Sequence, residues 1–195
     1  APHDLSIILF LLGRMPTAVN CQGNAHVTAG IEDVSNLSLT FGGNQFATIQ
    51  SSWLEPRKVR QMTIVGTRRM IVYDDIEPME KIRIYDARVE RPPHYDNFGE
   101  FHYAYHYGDS YIPRIEQAEP LRRMCQHFFE SVVAGSRPRS CGERGLEVVR
   151  ILEACSRSLK TRGCAVEVNP SPRSQRETMT ADEKQYHGSE FPSVA

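Results

Sequence analysis

Residues 33–53 read DVSNLSLTFGGNQFATIQSSW, and their period decides the fold. Leu37, Leu39 and Phe41 alternate with polar residues and share one side; after Gly42-Gly43-Asn44, Ala47, Ile49 and Ser51 again share one side. A two-residue period split by a glycine-rich turn is a β-hairpin. Residues 59–75, VRQMTIVGTRRMIVYDD, repeat the design, with Gly66-Thr67 as the turn and Met62, Ile64, Met70, Ile71 and Val72 on its arms. EKIRIYD (80–86) adds a strand, and EFHYAYHYGD (100–109) sets Phe101, Tyr103, Tyr105 and Tyr107 against His102, Ala104 and His106. Strands joined by short turns must pair antiparallel, since a parallel crossover needs a dozen or more residues. One antiparallel meander sheet is expected, with a loop over 89–99 marked by Pro93, Asn97 and Gly99.

Outside the strands the period becomes helical. APHDLSIILFLLGRMP (1–16) holds an apolar run from Leu5 to Leu12, closed by Gly13 and Pro16. No basic residue precedes the run, and it falls well short of the roughly 20 apolar residues of a membrane span. It reads as a buried helix rather than a targeting segment. Residues 117–135 place Leu121, Met124, Cys125, Phe128, Phe129 and Val132 at three- and four-residue steps and end on Gly135. Residues 142–163 do the same with Val148, Val149, Leu152, Cys155 and Leu159, and end on Gly163. Both are amphipathic helices that must pack on something. From 166 to 195 prolines recur and apolar residues almost vanish, which predicts a disordered tail. The expectation is an α+β domain over 1–165, an open, mostly antiparallel sheet with helices packed on one face.

Composition narrows the function. In 195 residues, 23 basic and 24 acidic side chains leave a net charge of -1, which gives no steering toward nucleic acid or a membrane surface. Five cysteines (Cys21, Cys125, Cys141, Cys155, Cys164) form an odd set with no C-x-x-C pair. A reduced, cytoplasmic protein is expected, with Cys125 and Cys155 as small core residues. No strand, G-x-G-x-x-G loop and helix unit occurs, so no dinucleotide-binding (Rossmann) domain is expected in this chain and no cofactor is expected on it alone. His94, His102 and His106 suggest a metal, but two residues four apart on a strand lie about 13 Å apart, too far for two ligands of one zinc. No metal site is expected.

PHDLSIILFLLG, SSWLEPRKVRQMTIVGTRRMIVYDDIEPMEKIRIYD, YGD, EPLRRMCQHFFESVVAG and GLEVVRILEACSRSL, taken in that order, resemble the C-terminal domain of the Gfo/Idh/MocA family of NAD(P)-dependent oxidoreductases. Within it, the branch that oxidises nucleotide-linked sugars at the 3-hydroxyl is the most similar. The resemblance implies an N-terminal Rossmann domain that holds NAD or NADP and carries a lysine of a Glu-Lys-Pro motif. It also implies a second domain whose sheet face makes a homo-oligomer. In that family the first helix of the second domain carries an aspartate and, four residues later, a histidine. His3 matches this histidine, and the aspartate's position falls before residue 1, as if the active-site helix were cut there.

Residues four apart on a helix share a face, so the carboxylate could orient the imidazole beside a sugar hydroxyl. His3 is the expected catalytic residue, holding or helping to deprotonate that hydroxyl. Trp53 is a candidate cleft residue, and Arg57, Lys58 and Arg60 of EPRKVR are candidates for a phosphate-bearing substrate, set against the alternative of a solvated turn. The aromatic stripe of Tyr103, Tyr105 and Tyr107 reads as packing or a subunit interface. Two readings follow. One is the substrate part of a sugar or nucleotide-sugar dehydrogenase, inactive without its cofactor domain. The other is a non-catalytic sugar-binding or oligomerisation module.

Overall fold

A computed structural model describes residues 2–90, 104–116 and 118–168. The chain divides into two compact units, residues 1–55 with 127–195, and residues 56–126. The division follows the hairpins: the strands Phe46–Ser52 and Gln61–Val65 do not pair, and Pro56 and the charged run after it separate them.

In the first unit, helix α1 (Pro2–Leu12) ends where Gly13 takes a φ of 66° and returns its N–H to Leu9 at 2.9 Å. Only Leu5, Ile8 and Leu9, at three- and four-residue spacing, are buried, while Phe10 and Leu11 are exposed. The apolar run is therefore a one-faced helix rather than a buried one. Just past its end, Arg14 donates through Nη2 to the Gly42 carbonyl at 2.7 Å and to Gln45 Oε1. This pins the helix terminus to the turn of the first hairpin.

That hairpin is β2 (Val34–Thr40) and β3 (Phe46–Ser52), paired from Val34↔Ser52 to Thr40↔Phe46. Gly43 takes the positive φ of 80° that the turn requires. Leu37, Leu39, Phe41 and Ile49 are buried, as the alternation predicts. Two strands were not legible in advance. β1 (Ala18–Asn24) pairs with the whole of β2, and β8 (Val166–Glu167) pairs with Ala18 and Val19 of β1, which gives the order β3-β2-β1-β8. Val168 follows β8 into the core and donates its N–H to the Thr17 carbonyl at 3.0 Å. The tail was expected to begin at 166, but residues 166 and 167 pair with β1 and Val168 is buried after them. Residues 169–195 lie outside the described residues, as does the expected loop beyond Glu90.

Helix α3 (Gly142–Lys160) packs on β1. Its buried face is Glu147, Ile151, Ala154, Cys155 and Ser158, a stripe rotated from the expected one, and Val149 is exposed. The rotation is possible because both polar members are partnered. Glu147 accepts from Arg144 at 2.9 Å, and Ser158 Oγ accepts the Cys21 N–H at 2.8 Å and donates to the Cys164 carbonyl at 2.7 Å. Burial pushes the Cys155 thiol up to about 12, and it also raises Cys21. Both are neutral core thiols. Helix α2 (Pro120–Ala134) breaks the expectation: Leu121, Met124, Cys125, Phe128, Phe129 and Val132, its predicted packing stripe, are all exposed, and the buried residue of the helix is Ser131. Cys125 itself is exposed and is not a core residue.

The second unit holds the other sheet, β4 (Gln61–Val65), β5 (Met70–Asp74), β6 (Ile82–Glu90) and β7 (Ala104–Tyr111), in sequence order and wholly antiparallel. The meander is as read, but the strands form two four-stranded sheets instead of one. A bulge between Tyr85 and Ala87 shifts the register of β6 against β7.

Ser158 sets the first test. Removing its hydroxyl strands a buried N–H on β1 and a carbonyl in the turn after α3. Ser158→Ala should therefore cost about 1–3 kcal/mol, read from the urea unfolding midpoint. A loss below about 0.5 kcal/mol, the range of an indifferent surface change, would show that the link is dispensable.

Candidate functional site

His3 lies exposed in the first turn of α1, where its carbonyl accepts from Ser6 Oγ at 2.8 Å. Trp53 follows β3 in the same unit and is 89% exposed. Arg57, Lys58 and Arg60 belong to the second unit and are exposed. Arg60 Nη1 sits 3.6 Å from Asp75 Oδ2, and the Arg60 carbonyl accepts the Asp75 N–H at 2.9 Å. Asp75 also lies 3.7 Å from Lys81 Nζ and accepts from the Tyr73 hydroxyl at 2.8 Å. The Tyr73 hydroxyl, first, and then Lys81 and Arg60 hold its carboxyl below the usual range, while burial and Asp75 push Tyr73 up to about 12. Arg60 thus serves the end of its sheet. Among the described residues no hydrogen bond or ion pair joins any two of His3, Trp53, Arg57, Lys58 and Arg60.

Among the described residues two imidazole–carboxylate pairs form, and sequence reasoning missed both. In the first unit, Asp33 closes the connection between β1 and β2. Its Oδ2 accepts the backbone N–H of His26 at 2.7 Å and of Val27 at 2.8 Å, and its Oδ1 meets His26 Nδ1 at 2.7 Å. The His26 side chain, first, and then the two backbone amides bring Asp33 down to about 2 against the opposing effect of desolvation. The Asp33 carbonyl accepts the Trp53 N–H at 2.8 Å. The only advance signal was an aspartate seven residues after a histidine across a Gly-containing loop, which is not specific.

In the second unit, the bulge aims Asp86 toward β7. Its Oδ2 lies 3.0 Å from His106 Nε2, and its Oδ1 accepts from Arg88 Nη1 at 2.9 Å. His106, first, and then the charges of Arg88 and Arg69 keep this carboxyl below its ordinary value. Gly108 makes the approach possible: a Cβ there would stand 2.5 Å from Asp86 Oδ2. His106 was weighed as a metal ligand, with His94 and His102, which lie outside the described residues. Among the described residues no three His, Cys, Asp or Glu side chains gather as a metal would need. On the other side of β7, the Tyr105 and Tyr107 rings stack with centroids 6.3 Å apart, and both are exposed. Tyr103 lies outside the described residues. No helix among the described residues is long and apolar enough to cross a membrane.

Comparison with known proteins bears on this arrangement. Residues 1–72 match the sequence model of the GFO/IDH/MocA C-terminal domain. No curated protein matches the chain. Among solved structures, the UDP-N-acetylglucosamine 3-dehydrogenase GnnA from Acidithiobacillus ferrooxidans superposes with a TM-score of 0.65 at 17% identity, over 83% of this chain and 46% of that one. An aldose-aldose oxidoreductase from Caulobacter crescentus gives a TM-score of 0.63 at 18% identity, over 85% and 45%. The WlbA dehydrogenase from Bordetella pertussis, solved with NADH and UDP-GlcNAcA, gives 0.60 at 16%, over 88% and 44%. The chain shares the fold of these oxidoreductases and spans less than half the length of each.

Two predictions follow from the carboxylates. Gly108→Ala should drive Asp86 off His106, so that the Asp86 carboxyl titrates nearer its ordinary value when followed by carboxyl-carbon NMR. An unchanged titration would mean that the glycine is not what admits the pair. Asp33 has a folded value of about 2 against 3.8 unfolded, so the stability it contributes is complete above about pH 3.8 and is lost as pH falls toward 2. The His26 and Val27 amides should lose hydrogen-exchange protection across that window, and Asp33→Asn should abolish the change. Protection that persists at pH 2 would remove Asp33 as their anchor.

Proposed function

We propose that this chain, which carries the GFO/IDH/MocA C-terminal domain over residues 1–72, is the substrate part of an oxidoreductase that converts a secondary hydroxyl of a sugar or nucleotide sugar to a carbonyl. The observation that carries the reading is the family match beginning on α1, together with the fold shared with sugar and nucleotide-sugar dehydrogenases. NAD or NADP is the hydride acceptor this chemistry calls for. The described residues do not fit such a cofactor: both sheets are antiparallel, and no glycine-rich loop joins a strand to a helix N-terminus. A dinucleotide-binding domain outside this chain would hold it, and the chain alone is expected not to turn over.

Within this chain, His3 is the group that would hold the reacting hydroxyl or accept its proton. It is exposed at the start of a helix whose inner face is fixed by Leu5, Ile8 and Leu9. Burying those three leaves the first turn rigid and its side chain open, which suits a group that must meet a substrate. Trp53, Arg57 and Lys58, all exposed, remain the proposed substrate contacts. Arg60 is better placed to hold Asp75.

The exposed stripe of Val89, Tyr105, Tyr107 and Tyr111 supports a homo-oligomer built through the second unit's sheet. The odd cysteine set supports a reducing, cytoplasmic setting. In protein that includes the dinucleotide-binding domain, His3→Ala should lower turnover of the true sugar by about 10²–10⁴-fold without lowering Tm. Turnover equal to that of the parent would remove His3 from the chemistry and favour the non-catalytic sugar-binding or oligomerisation module.

A further inference from the structure

The tip formed by the β1–β2 connection and the residue after β3 joins an oriented imidazole to an uncovered indole. Asp33 is the joint. Its side chain, 10% exposed, holds His26 Nδ1 at 2.7 Å, while its backbone carbonyl accepts the backbone N–H of Trp53 at 2.8 Å. His26 and Trp53 are therefore each one hydrogen bond away from the same residue. An ionised carboxylate only accepts, so the network places a proton on Nδ1, and in the neutral ring Nε2 is then the acceptor. The His26 side chain is 54% exposed, and Nε2 has no hydrogen-bond partner among the described residues.

Trp53 is the chain's single tryptophan, and it stands almost wholly in water. A flat aromatic face left bare marks a binding surface. In the β1–β2 connection, Val27 and Ile31 are also exposed. What selects among ligands is His26. An apolar partner gains nothing from a fixed acceptor, whereas a pyranose presents an apolar C–H face for stacking and, at its rim, hydroxyls that donate.

We propose that Trp53 and His26 form a sugar-binding subsite, in which the indole stacks on the ring and Nε2 of His26 accepts a ring hydroxyl, with Asp33 as the positioning residue. The choice of a sugar as ligand rests on the reading given under Proposed function. His26 and Asp33 are new to it.

The single tryptophan makes the site directly observable. The 195-residue chain is titrated with N-acetylglucosamine, with UDP-N-acetylglucosamine and with UDP alone, while Trp53 emission is followed. Both sugars should change the emission saturably and UDP alone should not. His26→Ala should weaken binding by about tenfold, and His26→Gln, which retains an acceptor, should recover part of the loss. Should His26→Ala fail to fold, the His26 ring resonances of the unaltered chain take its place, and they should move with the same saturation curve as Trp53.

No saturable change with either sugar overturns the subsite and leaves the tip to a protein partner. A response to UDP equal to that of UDP-N-acetylglucosamine, or unchanged affinity in His26→Ala, overturns it too. Failure here is separable from failure of the oxidoreductase reading. Sugar oxidation that depends on His3 while Trp53 stays silent removes only the subsite. A saturable Trp53 response in a protein that oxidises no sugar removes only the oxidoreductase.

Discussion

The first unit depends on a single buried hydroxyl. β1 is paired along its whole length with β2, but on its other side β8 covers only Ala18 and Val19. Beyond that point the backbone of Cys21 would be an open sheet edge inside a core, an arrangement that costs as much as a lost hydrogen bond for each orphaned group. Ser158 resolves this from α3. It accepts the Cys21 N–H, donates to the Cys164 carbonyl and lies 3.4 Å from the Cys21 carbonyl. One side chain thus lets a two-residue strand suffice and fixes the helix over the sheet, and it sets the turn that carries the chain into β8. Gly163 belongs to the same device. At φ 82° it reverses the chain, and a Cβ there would strike Gln22 of β1 at 2.4 Å.

This device also explains what sequence reading could and could not reach. The hairpins were legible because alternation and glycine turns are local: Leu37, Leu39 and Ile49 are buried, and Gly43 is left-handed. β1 was not legible, since VNCQGN carries too few apolar residues to show a period, and its strand character comes from β2 and Ser158 beside it. β8 was hidden in the same way, as two residues have no period at all. The face of α3 was misjudged because a hydrophobic stripe cannot show that Ser158 and Glu147 have partners waiting. Apolar spacing finds a helix, but the polar contacts decide which side turns inward.

The candidate site follows the same division. His3 is proposed from the family resemblance alone, and the exposure of Trp53 is compatible with its proposed contact role. Arg60 was weighed as a candidate phosphate contact against a solvated turn from its neighbours in sequence, and its guanidinium lies 3.6 Å from Asp75, which arrives from fifteen residues away after β5 has paired back on β4. The histidine pairs were unreachable for an equivalent reason. His106 and Asp86 lie on different strands and meet only because a bulge displaces the register and Gly108 leaves room.

The two pairs then share a consequence that neither histidine would have alone. Asp33 and Asp86 are both held in the ionised form, and an ionised carboxylate cannot donate. Each therefore holds a proton on the inner nitrogen of its imidazole, Nδ1 in His26 and Nε2 in His106, so that in the neutral ring the opposite nitrogen is the acceptor. The imidazoles differ in setting: the Asp33 that holds His26 also takes the backbone N–H of the exposed Trp53, whereas His106 has Arg88 on the same carboxylate. An arginine next to the pair suits a fixed charge, and an aromatic face suits a neutral ring bearing hydroxyls. The proposed sugar subsite therefore falls at the tip that carries Trp53, where the oriented imidazole and the backbone of the exposed tryptophan are both held by one residue, Asp33.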